Sequence, residues 1–345
     1  MNRRAALGLG LGTAAAGALL GTAASAPAQA TPDKTKPDKT KPHKAKPGTA
    51  GDAPTLVKEV YTQQSTAAGG TWNTYISLPG TDGTLTAAVD EGSDQSVEAY
   101  SVNKVPVATA VLDKIDRGEL TLDQQIDVTA DIVIPGGDGI FSLDGAYPSS
   151  VTVGHALAAL LTISDDTAVR LCGLVCPAKE INDTLVAKGF PKTQVEPVEN
   201  PNRFFLGQTT PKEMHDLLQK LVTGQLLSAA STGFLLSLLR SPIAFTDGIR
   251  LNMSTNERLN VATKAGWLDD GRNEAGIFFD AAGKPVLTYS MFAHGLGDVD
   301  NFSATHPAIA ARAVMGRAFL DAVGAVDGVA PKAMKAPAYH PTNGG

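Results

Sequence analysis

Cysteine is almost absent from this chain: Cys172 and Cys176 are the two it has in 345 residues. At most one bridge is available, and the i, i+4 spacing would close a very small loop, whose entropic stabilisation is limited. A Cys172–Cys176 disulfide and a pair of buried thiols both fit the sequence. Two cysteines without a neighbouring histidine supply too few ligands for a metal site, and no cofactor is expected. There is no G-x-S-x-G, and none of the six histidines stands in a context that marks a catalytic base, which argues against a Ser-His-Asp hydrolase. His155, His215, His294 and His306 are expected to be structural or surface residues. Basic residues are also short, 29 against 35 acidic for a net charge of −6. An acidic chain of this kind is a poor nucleic-acid binder.

What the chain does have begins with a leader. Asn2-Arg3-Arg4 precedes a run of Ala, Gly and Leu over 5–24, and Ala28-Gln29-Ala30 forms a small-residue cleavage site. Residues 1–30 therefore read as a bacterial export signal, the paired arginines suggesting the twin-arginine route, and the mature protein is expected outside the cytoplasm. Residues 31–50 follow as a repeat with Pro at positions 32, 37 and 42, and hold six lysines against two aspartates. Proline every fifth residue keeps such a tract extended and unable to build a core. It reads as a tether, capable of weak contact with anionic envelope polymers. Without the leader and tether the remaining body is more acidic still.

Periodicity organises residues 51–328, ahead of a polar tail at 329–345. Helical spacing runs over 54–64, 101–116, 151–175, 177–189, 211–222 and 307–322, and alternating stretches at 71–79, 84–90, 260–264, 274–280 and 286–293 read as strands. Residues 134–142, with Gly136-Gly137-Asp138-Gly139, are a loop. Strands at both ends around a helical middle predict an α+β fold: an antiparallel sheet with flanking helices, plus a mostly helical lobe.

The chemistry gathers at Ser101-Val102-Asn103-Lys104. A helix begins there, its apolar positions Val102, Val105, Ala108, Leu112 and Ile115 recurring at 3 and 4. Lys104 falls one turn from Ser101 on the same face, and a helix start offers free amides and a positive dipole end to an alkoxide. Further along come Ser164-Asp165-Asp166, Glu196-Pro197-Val198-Glu199-Asn200, Thr209-Thr210-Pro211 and Lys264-Ala265-Gly266. Thr210-Pro211-Lys212-Glu213 also reads as a capping box with proline at the first helical position.

In this order the motifs resemble S-x-x-K, S-D-N, E-P-x-x-N, T-T-x-P and K-T-G of the class A β-lactamase and penicillin-binding-protein family, over roughly 57–323, where E-P-x-x-N lies in the family's omega loop and T-T-x-P closes it. The resemblance implies the same α+β fold and an acyl-enzyme on Ser101, with Lys104, Ser164 and Lys264 in the proton machinery. It implies Glu196 as the base that activates the deacylating water, with Asn200 holding that water, and an oxyanion site between the N–H groups of Ser101 and Trp267. Gly266, Asp166 and Ala265 would line the substrate, and Arg250 is either a substrate-carboxylate ligand or a structural ion-pair arginine. Phe141 or Ile140 is a candidate apolar wall.

Two departures bear on substrate: Asp166 stands where the family has Asn, and Ala265 where it has Thr. The first places a charge that favours protonated Lys104; the second removes a hydroxyl donor for a substrate carboxylate, worth about 1.5–3 kcal/mol. The sequence thus predicts an exported, monomeric serine hydrolase acting on β-lactams or cell-wall-derived small molecules. The alternatives are a D,D-peptidase, a small-ester hydrolase or an acylated protein that does not turn over.

Overall fold

The structure, a computed structural model, describes residues 53–80, 82–244 and 248–324. The expected leader, tether and polar tail lie outside them.

Helix α1 (Ala53–Ala68) buries Ala53, Val57, Tyr61 and Ser65, one residue per turn. Strands β1 (Thr71–Pro79) and β2 (Leu85–Glu91) follow as an antiparallel pair. A short β3 (Val97–Glu98) leads through a 3-10 turn, Tyr100–Asn103, directly into α2 (Lys104–Asp116). Beyond it, β4 (Gln125–Val128) pairs with β5 (Ser149–Thr152). The helical lobe continues with α3 (Val153–Thr162), α4 (Asp166–Val175) and α5 (Ala178–Ala187). Then come β6 (Gln194–Pro197), β7 (Phe204–Thr209), α6 (Pro211–Val222), α7 (Ala229–Leu239) and α8 (Thr255–Arg258). The chain closes with β8 (Val261–Leu268), β9 (Gly271–Phe279), β10 (Pro285–His294) and α9 (Pro307–Gly324).

The main sheet runs β2-β1-β10-β9-β8, antiparallel throughout, so both ends of the described chain build it as the sequence predicts. Residues of α1 and α9 pack with the sheet around Ile76, Phe278, Tyr289, Met315 and Phe319. A second core inside the helical lobe holds Val107, Leu112, Leu157, Leu160, Leu185 and Leu217. Among the described residues no helix is long and apolar enough to cross a membrane.

Three local expectations change. The helix predicted over 151–175 is two helices, broken where Ser164 adopts a positive φ of 57° and Asp165 caps the second by accepting from Ala168 N–H. A non-glycine residue held there is strained, and the break frees Ser164 for the site. The capping box at α6 is half formed: the Thr210 hydroxyl accepts from Glu213 N–H, while the Glu213 carboxylate accepts instead from Lys192 N–H and Thr193 Oγ1. Cys172 and Cys176 are free, buried thiols, not a disulfide. Cys172 lies in α4 and Cys176 caps it, and residues one helical turn apart hold their Cβ atoms about 5–6 Å apart, beyond the roughly 3.8 Å a bridge needs. Burial pushes each thiol up to about 12, so both stay protonated and unreactive.

Candidate active site

Ser101 sits in the 3-10 turn before α2, not in the α-helix itself. In 3-10 geometry side chains at i and i+3 eclipse, which aligns Ser101 and Lys104 on one face. The turn is anchored from two sides. From β9, Asn273 Nδ2 donates to Glu98 O at 2.8 Å. On the other side, Ala99 N–H donates to Gly207 O of β7 at 3.0 Å, while Asn103 Nδ2 donates to Leu206 O and Gln208 O at 2.7 and 3.1 Å. Strand β8 crosses over the turn so closely that a Cβ at Gly266 would lie 2.6 Å from Ser101 N and 2.7 Å from Val102 N. Only glycine fits, and the contact brings β8, with Trp267 next in line, against the Ser101 amide where an oxyanion would be held.

Lys104 is fully buried. Its Nζ donates to Ser164 O, to Ser164 Oγ at 3.1 Å and to Asp166 Oδ1 at 2.9 Å. Those bonds engage the three hydrogens of a protonated ammonium; Ser101 Oγ is not among its partners, so proton transfer from Ser101 requires a neutral amine. Burial lowers the Lys104 pKa, opposed first by the Asp166 charge and then by Asp138 and Asp165. Lys264, from β8, donates to Ser164 Oγ at 3.0 Å and to Ala265 O at 2.6 Å. The Ser164 hydroxyl is therefore suspended between two lysines and can pass a proton in either direction.

Asp165 and Asp166 do different work. The Asp165 carboxylate, wholly enclosed, accepts from Ile140 N–H at 2.7 Å and Phe141 N–H at 3.0 Å with one oxygen and from Ala168 N–H with the other. It pins the 134–142 loop to the start of α4, and Gly139, at φ 103°, leaves room for its carboxylate. Asp166 Oδ2 accepts from Asp138 N–H at 3.1 Å, and Asp166 N–H donates to Asp138 O at 3.0 Å. Asp138, which the sequence reading passed over as part of a loop, thereby joins the site. Its carboxyl is exposed and pushed above the usual carboxylate range, by desolvation first and then by the Asp166 charge, against the pull of Lys104 and Lys264.

Other expected residues do not converge. Glu196 is exposed on β6, opposite Phe205 of β7, and among the described residues none of its hydrogen bonds or ion pairs reaches Ser101, Lys104 or Asn200. The segment expected to form an omega loop is a β6–β7 hairpin, and Asn200, exposed at its turn, accepts from Asn202 N–H at 3.0 Å. Among the described residues no contact supports the water-activating role of Glu196 or the water-holding role of Asn200. Arg250 is wholly buried, and its guanidinium donates to Ser241 O, Val261 O and Ala244 O. Carbonyls take up Nη1 and Nη2, while the buried Nε has no hydrogen-bond partner among the described residues, and this enclosed position fits the structural alternative. Ala265 is buried and brings only a methyl group. Across the ladder from it is Glu274, enclosed beside Arg312 at 3.2 Å. Trp267 is half-buried, its ring 6.0 Å from that of Phe302. Ile140 is exposed while Phe141 is buried in the lobe core. No group of three His, Cys, Asp or Glu among the described residues is placed to hold a metal ion.

Asn103 and Asp138 are the site residues the sequence reading missed. Asn103 lies inside S-x-x-K, where a buried polar residue on an otherwise apolar face was the available signal.

A model of the beta-lactamase enzyme family matches residues 56–323. Among solved structures, a beta-lactamase from Xanthomonas campestris pv. campestris is similar at a TM-score of 0.65 and 22% identity, over 79% of this chain and 99% of its own. One from Sphaerobacter thermophilus reaches 0.64 at 22%, over 79% and 99%. A mutant of PBP-A, solved as an acyl-enzyme complex with penicillin G, reaches 0.60 at 19%, over 79% and 97%. These likenesses bear out the α+β fold with its antiparallel sheet.

Proposed function

The chain belongs to the beta-lactamase enzyme family and is a serine hydrolase, and we propose that it works through an acyl-enzyme on Ser101, opening β-lactam amides. Ser101 Oγ bonds to the carbonyl carbon, and its proton passes to neutral Lys104. The C–N bond then breaks, and the proton travels through Ser164 Oγ to the departing nitrogen. The single observation that carries this reading is Ser164 Oγ held 3.1 Å from Lys104 Nζ and 3.0 Å from Lys264 Nζ, beneath the turn that presents Ser101. In the second half-reaction water adds to the ester carbon as Lys104 takes its proton, the bond from that carbon to Ser101 Oγ breaks, and Lys104 returns the proton to Oγ, releasing the acid and regenerating Ser101.

A second reading, slow release of the acyl group, is favoured by the exposure of Glu196: it leaves Lys104 as the base for both half-reactions. The penicillin G acyl-enzyme of PBP-A supports penicillin G as the probe. Intact mass over time after mixing distinguishes the cases: a transient adduct is hydrolysis, a lasting one an acylated binder. Absence of any adduct in wild type, or an adduct that persists in Ser101→Ala, would overturn the proposal. We also propose export of the mature chain, supported by the twin arginines and the small-residue site at 28–30; a secreted form that retains the apolar leader would contradict it.

A further inference from the structure

Four non-glycine residues among those described have a positive φ: Tyr100, Ser164, Asp269 and Asp298. Aspartate visits the left-handed region with little difficulty. A tyrosine stays there only where its surroundings over-determine the conformation. Tyr100, at φ 49°, is half-buried and directly precedes Ser101.

What holds it is one face of the β8–β9 ladder. Gly266 stands opposite Asn273 and Leu268 opposite Gly271, and residues two apart on a strand share a face, so Gly271, Asn273 and Gly266 lie together over the nucleophile segment. Asn273 Nδ2 donates to Glu98 O at 2.8 Å. Two residues along, the Tyr100 ring sits against Gly271: a Cβ there would lie 2.2 Å from Cε2 and 2.9 Å from both Cζ and Oη. Gly271 is not among the positive-φ glycines, so room for this ring, and not backbone freedom, calls for glycine. Gly266 comes next, where a Cβ would lie 2.6 Å from Ser101 N and 3.1 Å from Ala99 O. Glu98, Tyr100 and Ser101 are thus fixed in turn by one surface, and Val102 N–H closes the turn on Ala99 O at 3.2 Å.

We infer that Tyr100 is a positioning residue: its ring, seated on Gly271, holds the positive-φ turn that aims the Ser101 amide and hydroxyl at the substrate carbonyl. This rests on the acyl-enzyme reading above. Ring carbons make the contact, so phenylalanine can make it too. Glycine at 100 would reach the same φ more easily, but would leave the turn free to adopt others. The lock therefore acts on the rate of acylation and not on affinity for the substrate.

Acylation of the full mature chain by penicillin G, followed by intact mass over a range of concentrations, gives a limiting rate and a half-saturating concentration. In Tyr100→Gly the limiting rate is expected to fall about 10²-fold, the scale of a 1 Å misplacement, while the half-saturating concentration stays within about twofold. Tyr100→Phe should keep the limiting rate within about twofold of wild type, the range of a substitution that removes no packing. Gly271→Ala pushes on the ring from the other side and lowers the rate as well. Combined with Tyr100→Gly it adds little, because its methyl group then has no ring to displace. An unchanged limiting rate in Tyr100→Gly, an equal loss in Tyr100→Phe, or losses that multiply in the double variant overturn the inference and leave the acyl-enzyme standing. Should Tyr100→Gly fail to fold, a wild-type rate in folded Gly271→Ala overturns it in the same way. Absence of an adduct in wild type overturns both.

Discussion

Lys104 Nζ and Asp166 Oδ1 stand 2.9 Å apart, the lysine side chain fully enclosed and the aspartate 35% exposed. The two pull in opposite directions on one proton. Burial drives the lysine toward its neutral form, Asp166 holds it charged, and burial prevails.

Removing the opposing charge should therefore leave more of Lys104 as the neutral amine that can accept a proton. In Asp166→Asn the lysine pKa falls further, and the alkaline limb of acylation by penicillin G, which rises as Lys104 loses its proton, moves to lower pH. At neutral pH the rate constant should increase several-fold, roughly tenfold for each pKa unit moved below the limb. A pH–rate profile that superimposes on wild type would remove Lys104 from the role of base.

Gly266 makes a steric prediction. A methyl group there would meet Ser101 N and Val102 N at 2.6 and 2.7 Å, forcing β8 or the nucleophile turn to shift. Gly266→Ala should lower kcat/KM about 10²-fold, the scale of a 1 Å misplacement, while far-UV circular dichroism stays native. Activity within a factor of three of wild type would mean the turn yields without cost to the chemistry.

The exposed position of Glu196 predicts a small effect where the sequence pattern predicts a large one. Glu196→Ala should leave the lifetime of the penicillin G adduct within about twofold, the range of ordinary surface substitutions. An adduct lasting tenfold longer would return the carboxylate to the reaction.

Acid should weaken the fold through His215. Its Nε2 lies 2.8 Å from the buried Ser77 Oγ and its Nδ1 3.0 Å from Asp216 Oδ1, and burial lowers its pKa despite the aspartate. The folded state then binds this proton less readily than the unfolded chain, so stability is lost as pH drops below the ordinary imidazole value of about 6.5. Urea unfolding at pH 7.5 and 5.0 should show that loss in wild type and a shallower one in His215→Gln; equal slopes would put the acid sensitivity elsewhere.

The parts legible in the sequence were those set by local pattern or fixed spacing. The alternation of 71–79 and 286–293 predicted strands that pair in the sheet as β1 and β10, and the lysine three after Ser101 predicted one shared face. Ser164 and Lys264 could be matched as motifs, yet their meeting at one hydroxyl depends on a helix break and a strand edge 100 residues apart. Glu196 shows the limit: E-P-x-x-N names a loop, but pairing with β7 turned the segment into a hairpin and its carboxylate to solvent. Asp138 was invisible because its relevance comes from two backbone bonds to Asp166 across a glycine-rich loop that has no periodicity to read. Arg250 was undecided because sequence cannot distinguish a guanidinium facing substrate from one facing carbonyls.

The sheet joined from both ends of the chain has a consequence in time. Ser101, Lys104 and Ser164 are all synthesised well before β8, which brings Lys264 and Gly266 and can pair only once β9 has followed it. A nascent chain stopped short of residue 261 carries the serine without its second lysine and without the strand that covers its amide. The reactive centre is therefore switched on late, after translation has delivered nearly the whole body. A protease that strips the final strands would silence it while leaving the nucleophile segment untouched.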